Sequence, residues 1–335
     1  MAGVSNQVKG VLLDVETREI GGKSVIDLYI RLPTLGEPIQ RVTDEDFPPY
    51  FYIQPVPAAD VKKLVNQLKE ETFPGGIQPV LVKAVEKEGK KYIQVGFATI
   101  GDLVKSRESV SQYPFVETLR ESNIPYTKRY LLDKQLTPLN MVTCTLNEKG
   151  NVQKIKMMEE PTPALRTGAF DIETYGTTKT PDPEKNEIIS IALVSPAGEK
   201  VFMATDYHDE HTLSCASEKK TLKQINSFIA LSDMDVLYSY NGDRFDFPFI
   251  LTRGKKHAQP VDFGFGNVSL VGKGNDSSAR LNGMQHVDVF QLVRLLTRFQ
   301  FFKSPRLDLE SVMRAVFGEG EKTLSHKEIV ETWKT

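Results

Sequence analysis

Two carboxylates one residue apart, Asp171 and Glu173, lie in the stretch AFDIETYG, residues 169–176. Side chains alternate along a strand, so residues i and i+2 share a face. The two acids therefore point one way, while Phe170 and Ile172 point the other. Like charges held that close repel, and desolvation worsens both. A hard divalent cation between them removes the cost, and Mg²⁺ suits oxygen ligands. From these residues alone, an edge strand with two solvated acids is an equal reading, because acids are mostly surface residues.

A third acid, Asp246, lies in YSYNGDRFDFP, residues 238–248. It is boxed by Phe245 and Phe247 in an aromatic loop leading into a helix, with Asn241 and Asp243 nearby. The competing role for Asp246 is a helix cap, a position that Asp favours. Carboxylates from separate segments can hold two divalent ions, which sit about 3.5–4 Å apart in two-metal phosphoryl chemistry. One ion generates hydroxide and the other stabilises the leaving oxygen. Phe245 offers a ring on which an unstacked base can stack.

The elements that must position these residues alternate. GAFDIET, EIISIALVSP and EKVFMATD read as strands, EKKTLKQINSFIAL as a helix capped by Ser217, and DVLYSYNGDRFDFPFILTRGKK as strand, loop and helix start. Strands alternating with helices predict an α/β layered domain. Ahead of it, two strands flank a GGK turn, YFYIQPVP is a third strand, and AADVKKLVNQLKEE and TIGDLVKSRESVSQY are helices around a hairpin. That pattern predicts an α+β unit. IPYTKRYLLDKQLTPLN reads as the way out of it, and the hairpin MVTCTLNEKGNVQKIKMME as the start of the second domain. The expected domains are 1–140 and 141–335.

The whole chain limits the classes available. It has 335 residues, 40% hydrophobic and 26% charged, with a formal net charge of −2, so any polyanion partner must be met by local patches. Its two cysteines, Cys144 and Cys215, are far apart, which argues against a disulfide scaffold or a cysteine zinc site. No apolar run reaches spanning length. A soluble cytoplasmic protein with no membrane partner is the expectation.

FDIET followed by YNGDRFDFP resembles the first two exonuclease motifs of family B DNA polymerases. IPYTKRYLLDKQLTP and LESVMRAVFGEGEK are similar to the archaeal type. The likeness extends over nearly the whole chain and covers only the N-terminal and proofreading domains of such a polymerase. It implies a ribonuclease H-like 3′→5′ exonuclease domain behind an α+β domain with an RNA-recognition-like module. It implies Asp171, Glu173 and Asp246 as catalytic ligands of Mg²⁺ or Mn²⁺, with Asn241 and Phe245 on the DNA 3′ end. The partners implied are a primer 3′ end, single-stranded template and the polymerase domains of the same or another chain, with a sliding clamp as a further candidate. The family also supplies an acid from a Y-x-x-x-D helix. No Tyr follows Asp246 here, which implies a chain cut before that motif and a weak nuclease on its own. Asp288 in HVDVFQ matches a family position at a helix head and reads as a cap, and His326 and Glu331 as a chance H-x-x-x-x-E. A non-catalytic DNA-binding, lesion-sensing module or split-polymerase subunit is the alternative.

The resemblance further implies a slot for template uracil. Pro49 and Tyr50 form one wall, Leu103 and Arg107 another, and Ile124, Tyr126 and Arg129 complete it. Such a slot reads a pyrimidine edge and leaves no room for thymine's methyl group. The family pattern has Val at Leu103 and Phe at Tyr126, and one extra methylene narrows a snug slot. Two further features remain open. Arg294, Arg298, Lys303 and Arg306, interleaved with Phe299, Phe301 and Phe302, read equally as a single-strand groove or as core rings beside a solvated face. The hairpin VGKGNDSSARLNG would, by the resemblance, help part primer from template.

Overall fold

The computed structural model describes residues 6–33, 39–176, 181–207, 209–263, 266, 268–273, 276–318 and 328. His326, Glu331 and the tip residues 274–275 lie outside the described residues. The chain divides into two compact units, Met1–Pro163 and Ala164–Thr335.

In the first unit, strands β1 (Gln7–Ile20), β2 (Lys23–Arg31) and β3 (Ile39–Asp44) form an antiparallel run. Gly21 and Gly22 take φ of 55° and 75° in the β1–β2 turn, a region that costs glycine nothing. There follow β4 (Tyr50–Pro55), α1 (Val61–Lys69), β5 (Leu81–Lys87), β6 (Lys90–Gly96), α2 (Ile100–Ser111) and β7 (Val116–Arg120). They form a four-stranded antiparallel sheet in the order β5-β6-β4-β7. This is the split βαβ arrangement shared by RNA-recognition modules, as expected. Phe51, Ile53, Ile93 and Val95 pack against Leu64, Leu68 and Val110 of the two helices.

Two expectations fail in this unit. IPYTKRYLLDK is no exit but helix α3 (Tyr126–Lys134), whose Tyr126 and Tyr130 share a core with Val8, Leu12, Ile26 and Val142. Strands β8 (Met141–Leu146) and β9 (Val152–Met157) extend the first sheet to β3-β2-β1-β8-β9, with Gln7–Val11 paired antiparallel to Met141–Thr145. The hairpin assigned to the second domain therefore belongs to the first, and the division falls at 163/164 rather than 140/141.

The second unit contains β10 (Thr167–Tyr175), β11 (Glu187–Ser195), β12 (Gly198–Met203), β13 (Thr212–Ser214), α4 (Glu218–Ser232), β14 (Val236–Ser239) and α5 (Asp246–Lys256). After them come β15 (Ser269–Lys273), β16 (Asp276–Arg280), β17 (Gln285–Asp288), α6 (Val289–Arg298) and α7 (Leu309–Phe317). The main sheet runs β13-β12-β11-β10-β14-β17, antiparallel from β10 to β12 and parallel from β10 through β14 to β17. It is the mixed α/β, ribonuclease H-like arrangement expected for this half. Phe170, Ile172, Leu237, Phe247 and Ile250 meet in its core. A buried pair fixes α5: Arg253 Nε donates to Glu218 Oε1 at 2.7 Å, and the same oxygen accepts from Ile188 N at 2.8 Å. Helix α5, which begins at Asp246, is thereby tied to α4 and β11.

Candidate functional site

Strand β10 keeps a strict alternation of exposed and buried residues through Thr174, and its bulge comes only after Glu173. Asp171 and Glu173 accordingly share the open face, and Phe170 and Ile172 the core. Pairing between β10 and β14 ends at Ala169 and Tyr238. Beyond it Asp246 takes over, its Oδ1 accepting from Ile172 N at 3.1 Å. The chain makes this possible by a sharp turn after β14. Asn241 adopts φ of 66°, and a Cβ on Gly242 would stand 2.2 Å from Ser239 Oγ.

The turn delivers a carboxyl group into a costly place. Asp246 is 2% exposed. Burial, and then the charge of Asp171, push its carboxyl up to about 8. Asp171, although open to solvent on one side, is also raised by the surrounding protein, and it shares a hydrogen bond with Asp246. Two carboxylates in contact do not both ionise without help, and their titration belongs to the pair. Either a proton or a cation between the oxygens relieves them. A donor set of hard carboxylate oxygens fits a divalent cation such as Mg²⁺ or Mn²⁺. Glu173 lies two residues along the same face. Among the described residues, no group of three or more His, Cys, Asp or Glu side chains closes around a metal position.

Asn241 and Phe245 are half-buried in the same loop, and the Phe245 ring lies 5.5 Å from that of Phe249. Asp243 turns away. It is buried, accepts from Ala279 N at 2.7 Å and lies 3.5 Å from His286 Nδ1. His286 Nε2 is 2.8 Å from Ser239 Oγ, and burial holds the imidazole below its usual value. Asp288 does cap α6, through Phe290 N at 3.0 Å. It also accepts from Asn241 N and Asp243 N, links the sequence reading missed.

In the first unit, all seven residues expected around a base slot line one cavity of about 210 Å³. Ile100, Val104, Ser122, Asn123 and Pro125 complete the wall, and these the sequence reading missed. The Tyr126 hydroxyl is directed at the carbonyl oxygens of Ser24, at 3.1 Å, and Phe47. Arg107 donates to Asn123 across the mouth. Arg129, 4% exposed, donates to the Glu121 side chain and, at 3.1 Å, to its carbonyl, and its guanidinium lies 5.0 Å from the Tyr50 ring centre.

Phe299 and Phe301 are 65% and 75% exposed, so they are not core rings, while Phe302 is half-buried. Arg306 pairs with Asp308 at 2.9 Å. Among the described residues, no helix is long and apolar enough to cross a membrane.

Comparison with known proteins agrees with the fold and the motifs. A family described as DNA polymerase family B, exonuclease domain, matches residues 117–312, more than half of the chain. A DNA polymerase of Methanocaldococcus jannaschii is 27% identical over 330 residues, covering 96% of this chain and 19% of the relative. DNA polymerase 1 of Pyrococcus abyssi is 28% identical over 334 residues, covering 97% of this chain and 39% of the relative. The solved family B polymerase of Pyrobaculum calidifontis superimposes with a TM-score of 0.78 at 22% identity, over 98% of this chain and 42% of its own, and so bears on the fold alone. The chain thus spans well under half the length of these proteins. It belongs to the family B DNA polymerases and carries their exonuclease domain, and the relatives it matches are archaeal.

Proposed function

We propose that this chain supplies the 3′→5′ proofreading exonuclease of a DNA polymerase, acting on the 3′ end of a mismatched primer. The observation that carries this reading is the contact between two carboxyl groups, Asp171 on the open face of β10 and Asp246 nearly sealed from water beside Ile172. Asp171 and Asp246, with Glu173 beside them, would hold Mg²⁺ or Mn²⁺. Divalent ions in such a place activate water and neutralise charge on the phosphodiester as a nucleoside monophosphate departs. Phe245 stacks against the unpaired terminal base, and Asn241 hydrogen-bonds it. The remaining partners are template strand, the polymerase domains of the same or a partner chain, and a sliding clamp.

In the first unit, the cavity between α2 and the start of α3 is read as a slot for template uracil. Tyr126 and Arg129 are already bonded within the protein, and Arg107 is bonded to Asn123 through one terminal nitrogen while its buried Nε has no hydrogen-bond partner among the described residues, so shape carries most of the base selection in this reading.

The test is Mn²⁺-dependent digestion of a 3′-labelled single strand by this chain, by a longer chain extending past residue 335, and by Asp171→Ala in each. Metal-dependent loss of 3′ nucleotides that disappears in Asp171→Ala supports the reading. Full-rate digestion by Asp171→Ala refutes the role of the pair. A non-catalytic DNA-binding module is the second reading. DNA binding with no digestion by either chain would select it.

A further inference from the structure

Asp288 does more than begin a helix. An N-cap needs one side-chain oxygen for one backbone N–H of the first turn. Here Oδ1 accepts from Phe290 N at 3.0 Å, which is that bond, and also from Asn241 N at 2.8 Å. Oδ2 accepts from Asp243 N at 3.2 Å. Asp288 is 7% exposed, and both of its oxygens are taken up by these three backbone N–H donors. Two of the three donors belong to the turn that carries Asn241 in its left-handed conformation. Non-glycine residues adopt that conformation only where the surroundings enforce it.

The same turn is gripped from its other side. Asp243 Oδ1 takes Ala279 N at 2.7 Å, and Ser277 Oγ donates to the Asp243 carbonyl at 3.1 Å. Tyr240 donates its hydroxyl to Leu307 O at 2.6 Å. The segment leading to Asp246 is therefore fixed through its backbone and through the side chains of Tyr240 and Asp243, neither of which belongs to the residues read as holding a ligand.

We propose that Asp288 is a positioning residue of the acid cleft: its carboxylate holds the backbone of Asn241 and Asp243, and through that loop sets Asp246 against Ile172 of β10. It touches no ligand itself. The proposal rests on the reading of Asp171 and Asp246 as a cation site, and its test separates the two.

Asp288→Ser keeps a good capping oxygen for α6 but is too short to reach the loop. Asp288→Asn keeps Oδ1 and turns an amide toward the Asp243 N–H. The measurements are residue-resolved amide hydrogen exchange and Mn²⁺ affinity by electron paramagnetic resonance, on this whole chain. In Asp288→Ser, exchange should speed up at Asn241 and Asp243 while amides within α6, such as that of Val293, stay protected. Mn²⁺ should bind about tenfold more weakly, the scale for losing an outer support of a metal ligand. Asp288→Asn should free the Asp243 amide, leave Asn241 protected and fall between the two in affinity. Wild-type exchange and wild-type Mn²⁺ affinity in Asp288→Ser would reduce Asp288 to a helix cap and overturn the proposal. If Asp288→Ser loses α6 protection as well, the Asn variant decides, and an unchanged Asp243 amide there overturns it. If the wild-type chain binds no Mn²⁺, the cation reading fails by itself, and the exchange at Asn241 and Asp243 still decides whether Asp288 clamps the loop.

Discussion

The cleft at Asp171 and the cavity at Leu103 are built on opposite principles. In the cleft, two carboxyl groups are brought into contact by a strand face and a helix start, and one of them is nearly sealed from water. The folded chain holds them together against their repulsion. Around the cavity, Tyr126, Arg129 and Arg107 have protein partners, and apolar side chains fill the wall. A place that stores repulsion would select a ligand by charge, and one whose polar groups are mostly engaged would select by shape. The first should change markedly when its ligand is supplied or withheld, the second hardly at all.

The largest test of this contrast is removal of the charge. Asp246→Asn keeps an oxygen for Ile172 N and abolishes the ionised form. It should lower Mn²⁺ affinity by more than the 10–100-fold or so that outer supports of metal ligands cost. In chelator at pH 8 it should unfold at a higher temperature than the wild type, and Mg²⁺ should raise the wild-type midpoint only. An equal response of both proteins to Mg²⁺ would remove the pair from any cation site.

The next effect is on pH. The Asp246 carboxyl titrates near 8 in the folded chain, above the unfolded value of 3.8. The folded state thus retains a proton that the unfolded state has lost, so this group's contribution falls as pH rises from about 4 through 8. Glu218 and Asp27 are lowered, which places their stabilising effect above their unfolded values and leaves it constant at neutral pH. His286 is lowered too, and its destabilising protonation pull ends above about 6.5. Burial also raises the thiols of Cys144 and Cys215, which adds a small fall above about pH 8 in both proteins. Between pH 7 and 8.5 in chelator, denaturant midpoints should therefore fall for the wild type and fall much less for Asp246→Asn. Parallel slopes would contradict the proton sharing.

The two regions also differ in how much of them a reader of the chain can see. Asp171 and Glu173 are legible because alternation along a strand is a local rule, and Asp246 because a strand–loop–helix transition marks it. The role of Asp288 is not, since its loop partners lie 45 and 47 residues earlier and are backbone groups without sequence identity. Non-locality also hides the place of β8 and β9, whose pairing joins Gln7 to Thr145. Helix α3 escapes because Pro125 precedes it and no side-chain cap announces it. The cavity residues are visible only through family likeness. They come from the start of β4, from α2 and from the turn into α3, and no periodicity connects those segments.

In the first unit, effects should be modest and steric. Leu103 is 8% exposed and lines the cavity. Shortening it to Val removes a methylene worth about 0.8 kcal/mol of burial, and in a narrow slot that methylene is an obstruction. Leu103→Val should bind a uracil-containing oligonucleotide about fourfold tighter and keep rejecting the matched thymine oligonucleotide, read by fluorescence anisotropy. Equal affinities for uracil and thymine in both proteins would discard the slot.

The smallest effect is the sharpest on the question of shape. Tyr126 departs from the family's Phe, yet its hydroxyl is directed at the carbonyls of Ser24 and Phe47, and burial raises its ionisation well above the ordinary range. Its hydroxyl is engaged by those carbonyls, and its side chain both joins the core under α3 and lines the cavity. Tyr126→Phe should therefore cost about 1 kcal/mol of stability, the usual net worth of one hydrogen bond, and leave uracil affinity unchanged. A loss of uracil binding with unaltered stability would mean that the hydroxyl turns into the slot. Base selection there would then run through a polar contact, and the contrast with the acid cleft would no longer hold.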